Sequence, residues 1–422
     1  MSNPRVTSII LAGGQGSRLH PLTKTRSKPA VPIGGKFRLI DIPISNCLNH
    51  GIRHICVLTQ FASESLHRHI FQTYRMDNFS KGFVSVLAAS QTLDEKGWYE
   101  GTADAVRKNL SNFKQAGETV LLLSGDHLYR MDFENFVNFH YEKKADLTLS
   151  VIPVPRSTVS ELGVLKMDSN YKVLDFVEKP KDDKIIKDFE IPAKLRTKDS
   201  RGEETTHVGS MGIYLFNKNV LFDILEKYDH KDFGKQIIPA AIDNYNVYAY
   251  PFEGYWEDIG TIKAFFDAHM ALTANKPPFN FYDQNRPIFT HARFLPAAKF
   301  SGSRIDSSII CEGSMIGDAV ITDSIIGVRS IIGSGSSLSR VIFMGADYYD
   351  SEDTSGHSQL GIGKKCQIKN AILDKDVSIG DDVQLVNVNN LQNAEENELG
   401  IVIRDGIIVV PKGTVVPSGY VM

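Results

Sequence analysis

Up to about residue 280, short apolar runs alternate with longer segments in which apolar and polar residues are mixed. The runs have the length and the β-branched content of buried strands. They lie at 7–11, 54–59, 119–124, 147–152, 210–216 and 245–251. Segments 62–74, 103–113 and 133–143 have the apolar spacing of amphipathic helices. Strands separated by helices predict a wound α/β fold with a mostly parallel sheet, which binds ligands beyond the carboxyl ends of its strands.

A different pattern begins after Pro277, Pro278 and Pro287. From about residue 300, aliphatic residues recur at every sixth position, which is not the period of a helix or a hairpin. These residues are Ile310, Ile316, Ile326, Ile332, Leu338, Ile362, Ile368, Leu373, Ile379 and Leu385. A six-residue period is typical of a parallel β-helix, in which each aliphatic residue points inward from one face of a triangular coil. The alternative is a β-sandwich with accidental spacing.

The two patterns predict two domains, at 1–280 and 301–422, which are joined by a linker at 281–300. Within the second domain, residues 344–360 interrupt the six-residue period and predict an inserted loop. Within the first domain, the segment 181–207 is rich in charge, and we expect it to form a surface loop.

The composition excludes several classes of protein. Hydrophobic residues make up 42% of the 422 residues, the formal net charge is −3 and the four cysteines have no zinc-site spacing. A net negative charge argues against nucleic-acid binding, and no apolar run is long enough to span a membrane. Few scattered thiols in a chain of this length predict a cytoplasmic protein, although a mature plastid protein would have the same features.

A glycine-rich segment, LAGGQGSRL at 11–19, directly follows the first predicted strand. Gly13, Gly14 and Gly16 allow backbone N–H groups to approach phosphate oxygens closely. Arg18 and Lys28 follow on the same connection and predict that the ligand is a nucleoside triphosphate. The segment has no GxxxxGK[ST] motif, and a plain strand-to-helix turn is the alternative.

Two carboxylates are candidate ligands of Mg²⁺. Asp126 comes directly after the predicted strand 119–124, and Asp258 lies in the motif GYWEDIGT. Mg²⁺ takes few protein ligands and fills its other positions with phosphate oxygens and water. A single aspartate after a strand is more often a helix N-cap, so the prediction depends on the two residues together.

Further motifs offer groups for a sugar phosphate. In FVEKP, Glu178 can bind sugar hydroxyls and Lys179 a phosphate, although a solvated turn before a proline is the simpler interpretation. WYEGTADAV supplies Tyr99 in an aromatic pair followed by Gly101 and Thr102, and GSMGIYLF places Ser210 at the start of a strand. Aromatic pairs are usually core packing, so these motifs gain weight only from their context.

The segment 11–47 resembles the opening of sugar-1-phosphate nucleotidylyltransferases. WYEGTADAV, LSGDHLYRMDF, FVEKP, SMGIYLF and GYWEDIGT narrow this resemblance to the ADP-glucose pyrophosphorylase family. The likeness continues through segments 344–356, 360–382 and 404–419, which are more similar to the plant and cyanobacterial branch. It therefore covers nearly the whole chain.

The resemblance implies a Rossmann-like nucleotidyltransferase domain followed by a left-handed β-helix, usually assembled as a homotetramer. It implies transfer of the adenylyl group of ATP to glucose 1-phosphate, with Lys28 at the reacting phosphates and Mg²⁺ on Asp126 and Asp258. The residues that match ATP-binding positions are Leu11, Gly13, Gly14, Gly16, Arg18, Gln60, Gln91, Gly101 and Thr102. Those that match glucose 1-phosphate positions are Tyr99, Gly163, Glu178, Lys179 and Ser210.

The resemblance also implies allosteric control. Lys375 and Lys412 match two lysines with which plant-type members bind 3-phosphoglycerate, and Arg293 and Arg404 are expected to complete the cluster. We expect activation by 3-phosphoglycerate and opposition by inorganic phosphate. The alternative, which the spacing alone favours, is that these cations are ordinary surface residues on turns of the coil.

Three rival functions remain at this point. The first is a sugar nucleotidylyltransferase that uses another NTP, and the second is a non-catalytic regulatory subunit. The presence of Arg18, Lys28, Asp126 and Lys179 argues against the second. The third, a hexapeptide acyltransferase, would leave residues 1–280 unexplained.

Overall fold

The computed structural model describes residues 6–77, 82–89, 97–114, 116–199, 202–349 and 360–422. The first domain contains thirteen of the described strands and all eight described α-helices. The strands are β1 (Val6–Ala12), β2 (Pro32–Ile33), β3 (Phe37–Arg38), β4 (His54–Thr59), β5 (Phe83–Ala88), β6 (Thr119–Ser124), β7 (His127–Tyr129), β8 (Leu147–Pro155), β9 (Gly163–Met167), β10 (Val173–Glu178), β11 (Thr205–Asn217), β12 (Val247–Pro251) and β13 (Trp256–Asp258). The helices are α1 (Asp41–Asn49), α2 (Glu64–Thr73), α3 (Thr102–Arg107), α4 (Phe133–Glu142), α5 (Asp183–Asp188), α6 (Lys218–Lys227), α7 (Ile238–Asn244) and α8 (Ile262–Leu272).

The main sheet has the order β10-β9-β11-β6-β1-β4-β5, and β8 and β12 extend it from β11. Strands β6, β1, β4 and β5 are parallel, which confirms the wound α/β prediction, whereas β11 is antiparallel to β6, β8 and β9. A parallel group of strands places its carboxyl ends at one edge. The loops after β1, β4 and β6 therefore lie next to one another.

Side chains of the central strands alternate between two apolar layers, one on each face of the sheet. Ile10 and Leu123 pack with α1 and α8 on one face, whereas Ile9 and Leu122 pack with α3 and α6 on the other. All four side chains are fully buried. Burial on both faces explains why these strands are continuous apolar runs in the sequence.

The second domain is a parallel β-helix, and its inward-facing residues form three columns. One column contains Ile316, Ile332, Ile362, Ile379 and Val416, which pair in succession. The other two columns are Ile321, Leu338, Ile368 and Leu385, and Ile326, Phe343, Leu373 and Val410. All ten aliphatic positions predicted from the six-residue period lie in these columns or, for Ile310, pair directly with one of them.

The strands of the second domain are mostly two or three residues long. They are β14 (Lys299–Phe300), β15 (Arg304–Asp306), β16 (Ile309–Ile310), β17 (Met315–Ile316), β18 (Val320–Thr322), β19 (Ile325–Ile326), β20 (Ile331–Ile332), β21 (Ser337–Phe343), β22 (Gly361–Ile362), β23 (Gln367–Leu373), β24 (Ser378–Ile379), β25 (Gln384–Leu385), β26 (Val402–Arg404), β27 (Ile407–Val410) and β28 (Val415–Val416). The first of them begins within the predicted linker.

The prediction of a surface loop at 181–207 is wrong in part. This segment contains α5, a short 3-10 helix at Ala193–Leu195 and the start of β11. Ile186 and Phe189 are buried in a small apolar cluster, and His207 is fully buried. Because lysines and aspartates dominate this segment, its few buried apolar residues gave no clear pattern in the sequence.

The two domains pack against each other at the hairpin between β2 and β3. Gly35, with φ of 83°, packs so closely on the β-helix that a Cβ atom would lie 2.4 Å from Sγ of Cys311. Arg26 and Asp374 form an ion pair between the domains, with side chains only 6% and 1% exposed. Apolar residues of the β-helix, including Ile325 and Ile342, join the same core as α1 and α8.

Candidate active site

The glycine-rich segment lies where the parallel strands end. Gly16 adopts a left-handed conformation, with φ of 64°, and a Cβ atom there would meet Cβ of Lys28 at 3.0 Å. The backbone N–H of Gly125, after β6, donates to the carbonyl of Leu11 at 3.0 Å and so joins the two strand ends. These contacts place the segment 11–18 against the start of the Asp126 loop.

A cavity of about 200 Å³ opens beside this segment. Six predicted site residues line it, and Gly260 closes it from the loop after β13. The six are Leu11, Gly14, Gly16, Arg18, Lys28 and Asp126. The folded chain therefore brings two of the three predicted glycines, both cations and one predicted metal ligand to a single cavity, whereas Gly13 faces Gln60 instead.

Lys28 joins the two predicted metal ligands. Its Nζ atom lies 2.6 Å from Oδ2 of Asp126 and 3.2 Å from Oδ1 of Asp258. Asp258 reaches this position because β13 pairs with β7, with Asp258 opposite His127. Two carboxylates separated by more than 130 residues in the sequence thus face the same ammonium group.

The charges of this group change the pKa values of its members. Burial alone would raise the pKa of Asp126, but Lys28 and His127 and the hydrogen bonds from Lys28 and Ser124 hold it well below its usual range. Burial opposes the charge of Lys28, but Asp126 and Asp258 raise the pKa of its ammonium overall. The lysine and Asp126 are therefore charged at neutral pH.

The donor set fits a divalent cation. Asp126, His127 and Asp258 each offer a ligand atom, and these atoms lie within 4.8 Å of one another. Nε2 of His127 is 3.5 Å from Oδ1 of Asp126 and 3.9 Å from Oδ1 of Asp258. Oxygen-rich sites of this kind with few protein ligands suit Mg²⁺.

A second group of predicted residues lies at the end of β4. The side-chain amide of Gln60 accepts a hydrogen bond from the backbone N–H of Tyr99 and donates to its carbonyl at 3.4 Å. Thr102 donates to Oδ2 of Asp232 at 3.2 Å, and Gly101 packs against the carbonyl of Lys231. Gln91 lies outside the described residues.

Glu178 and Lys179 come at the end of β10. Glu178 fits between two glycines, because a Cβ atom on Gly163 or on Gly234 would approach its carboxylate to within 2.7 Å. Burial, with the nearby charge of Asp232, raises the pKa of Glu178 despite Lys179. Lys179 has a left-handed φ of 49°, and its half-exposed ammonium lies 3.8 Å from Glu178.

Comparison with known proteins agrees with this geometry. Residues 7–275 match the nucleotidyl transferase family. The chain belongs to that family. Residues 293–421 match the GLGC left-handed parallel β-helix domain, and this combination is the ADP-glucose pyrophosphorylase architecture. The predicted fold class is confirmed, while the plant and cyanobacterial branch stays a prediction.

Two residues of this nucleotidyl transferase site were not named from the sequence. His127 directly follows Asp126, and this adjacency was a usable signal. Asp232 is close to both Thr102 and Glu178, but no motif around it indicated this position.

The predicted residue Ser210 is buried at a register irregularity in β11, where its hydroxyl accepts from the N–H of Gly212 at 3.3 Å.

A separate cleft of about 820 Å³ lies between the nucleotidyl transferase domain and the β-helix. Its cationic lining residues are Arg26, Arg38, Arg68, Arg293, Arg329, Lys375 and Lys412. Asp347 lies among them, 2.6 Å from Nζ of Lys375 and 2.7 Å from Nζ of Lys412. Burial lowers the pKa of Arg38 to about 10, although Asp347 and Asp41 favour its charge.

Three of the four predicted effector residues, Arg293, Lys375 and Lys412, therefore meet in this cleft. Arg404 does not line it. Its guanidinium instead donates to the carbonyl of Ala394 at 2.8 Å and to the carboxylate of Glu395 at 3.0 Å, because β26 folds back on β27.

In the described part of the chain, no helix is long and apolar enough to cross a membrane.

Proposed function

We propose that this sugar-1-phosphate nucleotidyltransferase is a glucose-1-phosphate adenylyltransferase, which makes ADP-glucose and pyrophosphate from ATP and glucose 1-phosphate. This would be the committed step of glycogen or starch synthesis. The observation that carries the proposal is the cavity in which Arg18, Lys28 and Asp126 meet the glycine-rich segment. The resemblance of the flanking motifs to one family supports adenine and glucose as the specific groups.

The proposed reaction is an in-line displacement at the α-phosphorus of ATP. An oxygen of the glucose 1-phosphate phosphate forms the new P–O bond, and the bond from the α-phosphorus to the bridging oxygen breaks, which releases pyrophosphate. The nucleophile is already an anion, so no general base is needed. Catalysis then consists of bringing anions together and stabilising charge on the leaving group.

Individual residues have distinct parts in this proposal. Asp126 and Asp258 would hold Mg²⁺, which would supply positive charge to the reacting and leaving phosphates. Arg18 binds the triphosphate at the cavity mouth, where Gly260 leaves room for its guanidinium. Lys28 contacts phosphate oxygens at the reacting centre.

The sugar phosphate would bind at the end of β10. Glu178 offers its carboxylate, in a side chain that is 19% exposed, to glucose hydroxyls, and Lys179 extends a half-exposed ammonium to the phosphate. The other residues assigned to this substrate by resemblance are Tyr99, Gly163 and Ser210. Gly163 contributes by its lack of a side chain, because any side chain there would displace Glu178.

We propose the interdomain cleft as the effector site. It is lined by seven cationic side chains and three carboxylates, Glu64, Asp347 and Asp376, and Arg26 is paired with Asp374 outside this lining. The remaining positive excess suits a small ligand with several negative charges. 3-Phosphoglycerate fits this description, and inorganic phosphate would compete for the same cations. A homotetramer and a cytoplasmic location stay predictions from the resemblance and the composition.

The decisive experiment measures pyrophosphate release by the purified chain with glucose 1-phosphate, Mg²⁺ and each of ATP, UTP, dTTP and GTP in turn. The proposal expects turnover with ATP, which increases with 3-phosphoglycerate. Turnover with another NTP alone would assign a different nucleotide to the same chemistry. No turnover with any of the four would favour a non-catalytic subunit.

A further inference from the structure

The position of the Lys28 ammonium is determined by several contacts. Lys28 begins a short 3-10 helix, Lys28–Ala30, and its side chain is only 10% exposed. Its Cβ packs against the left-handed Gly16, where no side chain would fit without displacement. Two residues earlier, Arg26 is anchored to the β-helix through its buried ion pair with Asp374. The ammonium is thus directed between Asp126 and Asp258.

The ammonium contacts the same carboxylates that a divalent cation would use. A Mg²⁺ ion lies about 2.1 Å from each oxygen ligand, so an ion shared by the two carboxylates needs the space between them. The Nζ atom is already 2.6 Å from Asp126 and 3.2 Å from Asp258. An ammonium and a divalent ion only a few ångströms apart repel each other strongly in a partly buried site.

An arriving triphosphate would change the contacts of the Lys28 ammonium. Its negative charge would enter the cavity lined by Lys28 and Arg18, and it offers the ammonium a new partner close to its present position. A lysine ammonium on a flexible four-carbon stem can turn from a carboxylate to a phosphate oxygen with a small movement. The carboxylates would then be free to bind the cation that accompanies the nucleotide.

We propose that Lys28 excludes free divalent cations from Asp126 and Asp258 until a nucleoside triphosphate draws its ammonium away, so that metal and nucleotide bind together. This inference rests on the proposed function, because it assumes that the two carboxylates hold the metal. It assigns Lys28 a second part, as the residue that sets the order of binding, in addition to its contact with phosphate.

The test is a titration of the nucleotide-free full-length chain with Mn²⁺, in which the remaining free ion is measured by electron paramagnetic resonance. Lys28→Met should bind Mn²⁺ at least tenfold more tightly than the wild type. Adding Asp258→Asn to Lys28→Met should remove this gain, which locates the ion. Lys28→Gln provides a second neutral variant, and circular dichroism verifies that both fold.

Lys179→Met is the matched control, because it removes one positive charge from the same domain, and the ion pair of Lys179 is with Glu178 rather than with either aspartate. Its Mn²⁺ affinity should stay within about twofold of the wild type. An equal gain in both lysine variants would reduce the effect to general electrostatics and overturn the proposal, as would no gain in Lys28→Met and Lys28→Gln. Pyrophosphate release by the wild type tests the proposed function separately. The proposed function and the proposed exclusion of metal by Lys28 can therefore be contradicted independently.

Discussion

We expect the folding stability of the nucleotidyl transferase domain to depend on pH through the buried imidazole of His269. The imidazole is fully buried in α8, where Nδ1 donates to the carbonyl of Phe265 at 2.7 Å and Nε2 accepts from the N–H of Gly34 at 3.3 Å. Burial disfavours the charged imidazolium and lowers the pKa of His269 to about 4. A proton on Nε2 would also face the N–H of Gly34.

The direction of the effect follows from the two pKa values. In the unfolded chain the imidazole takes up a proton near pH 6.5, whereas in the folded protein it does so only near pH 4. The unfolded state thus binds more protons between these values, and folding stability falls as the pH falls. Linkage gives a loss of about 2 kcal/mol in the free energy of unfolding between pH 7 and pH 5 from this residue.

Urea unfolding at pH 7 and pH 5 measures this loss in the wild type and in His269→Gln. Both tryptophans of the chain, Trp98 and Trp256, lie in the catalytic domain, so their fluorescence reports on it. Glutamine also offers one donor and one acceptor but does not titrate, and the carboxylates are common to both proteins. The wild type should lose about 2 kcal/mol more than the variant between the two pH values. Equal losses would refute the assignment.

Four further predictions concern catalysis, control and the domain contact. Asp126→Asn should lower turnover by about two to four orders of magnitude with unchanged folding, because it weakens metal binding at the reacting phosphates; a near-normal rate in the pyrophosphate assay would remove Asp126 from the mechanism. Lys179→Ala should raise the KM for glucose 1-phosphate by about 10- to 100-fold and that for ATP far less, and an equal rise in both would reassign this lysine. Lys412→Ala should abolish the responses to 3-phosphoglycerate and phosphate in rate titrations while basal turnover is largely kept, whereas a normal response would exclude the cleft as the effector site. Asp374→Asn should destabilise the protein by about 3–5 kcal/mol in denaturation experiments, because Arg26 is left buried with an unpaired charge; a change below about 1 kcal/mol would contradict this.

Much of the fold was predictable because its signals are local and repeated. The strands at 54–59 and 119–124 have the predicted bounds, since both are apolar runs buried on two faces. The β-helix positions were predictable because every turn of the coil places an aliphatic residue in one of three columns. Lys375 and Lys412 are assigned to an effector site only by resemblance, whereas their closeness in space follows from the pairing of adjacent coils, with Leu373 beside Val410.

The rest depended on contacts between distant segments. The approach of Lys28 to Asp258 requires β13 to pair with β7, and neither three-residue strand has a pattern of its own. Asp347 enters the cleft from the segment that interrupts the six-residue period, so periodicity could not place it. The position of Arg404 outside the cleft lining could not be predicted for a related reason, because the return of β26 onto β27 has no signal in the hexapeptide spacing.

The interrupted coil of the β-helix has a consequence for how the interdomain cleft can vary between related chains. Strands β21 and β23 pair directly, with Leu338 beside Ile368, and β22, which follows the interruption, pairs with β20 and β24, so the regular stacking resumes at Gly361. Lengthening such a segment costs little, because the entropy of loop closure grows only with the logarithm of its length. Asp347, near the start of this segment, already contacts two cations of the interdomain cleft. If the cleft binds the effector as proposed, insertions and substitutions here would change anion binding while the residues proposed for the chemistry stay unchanged.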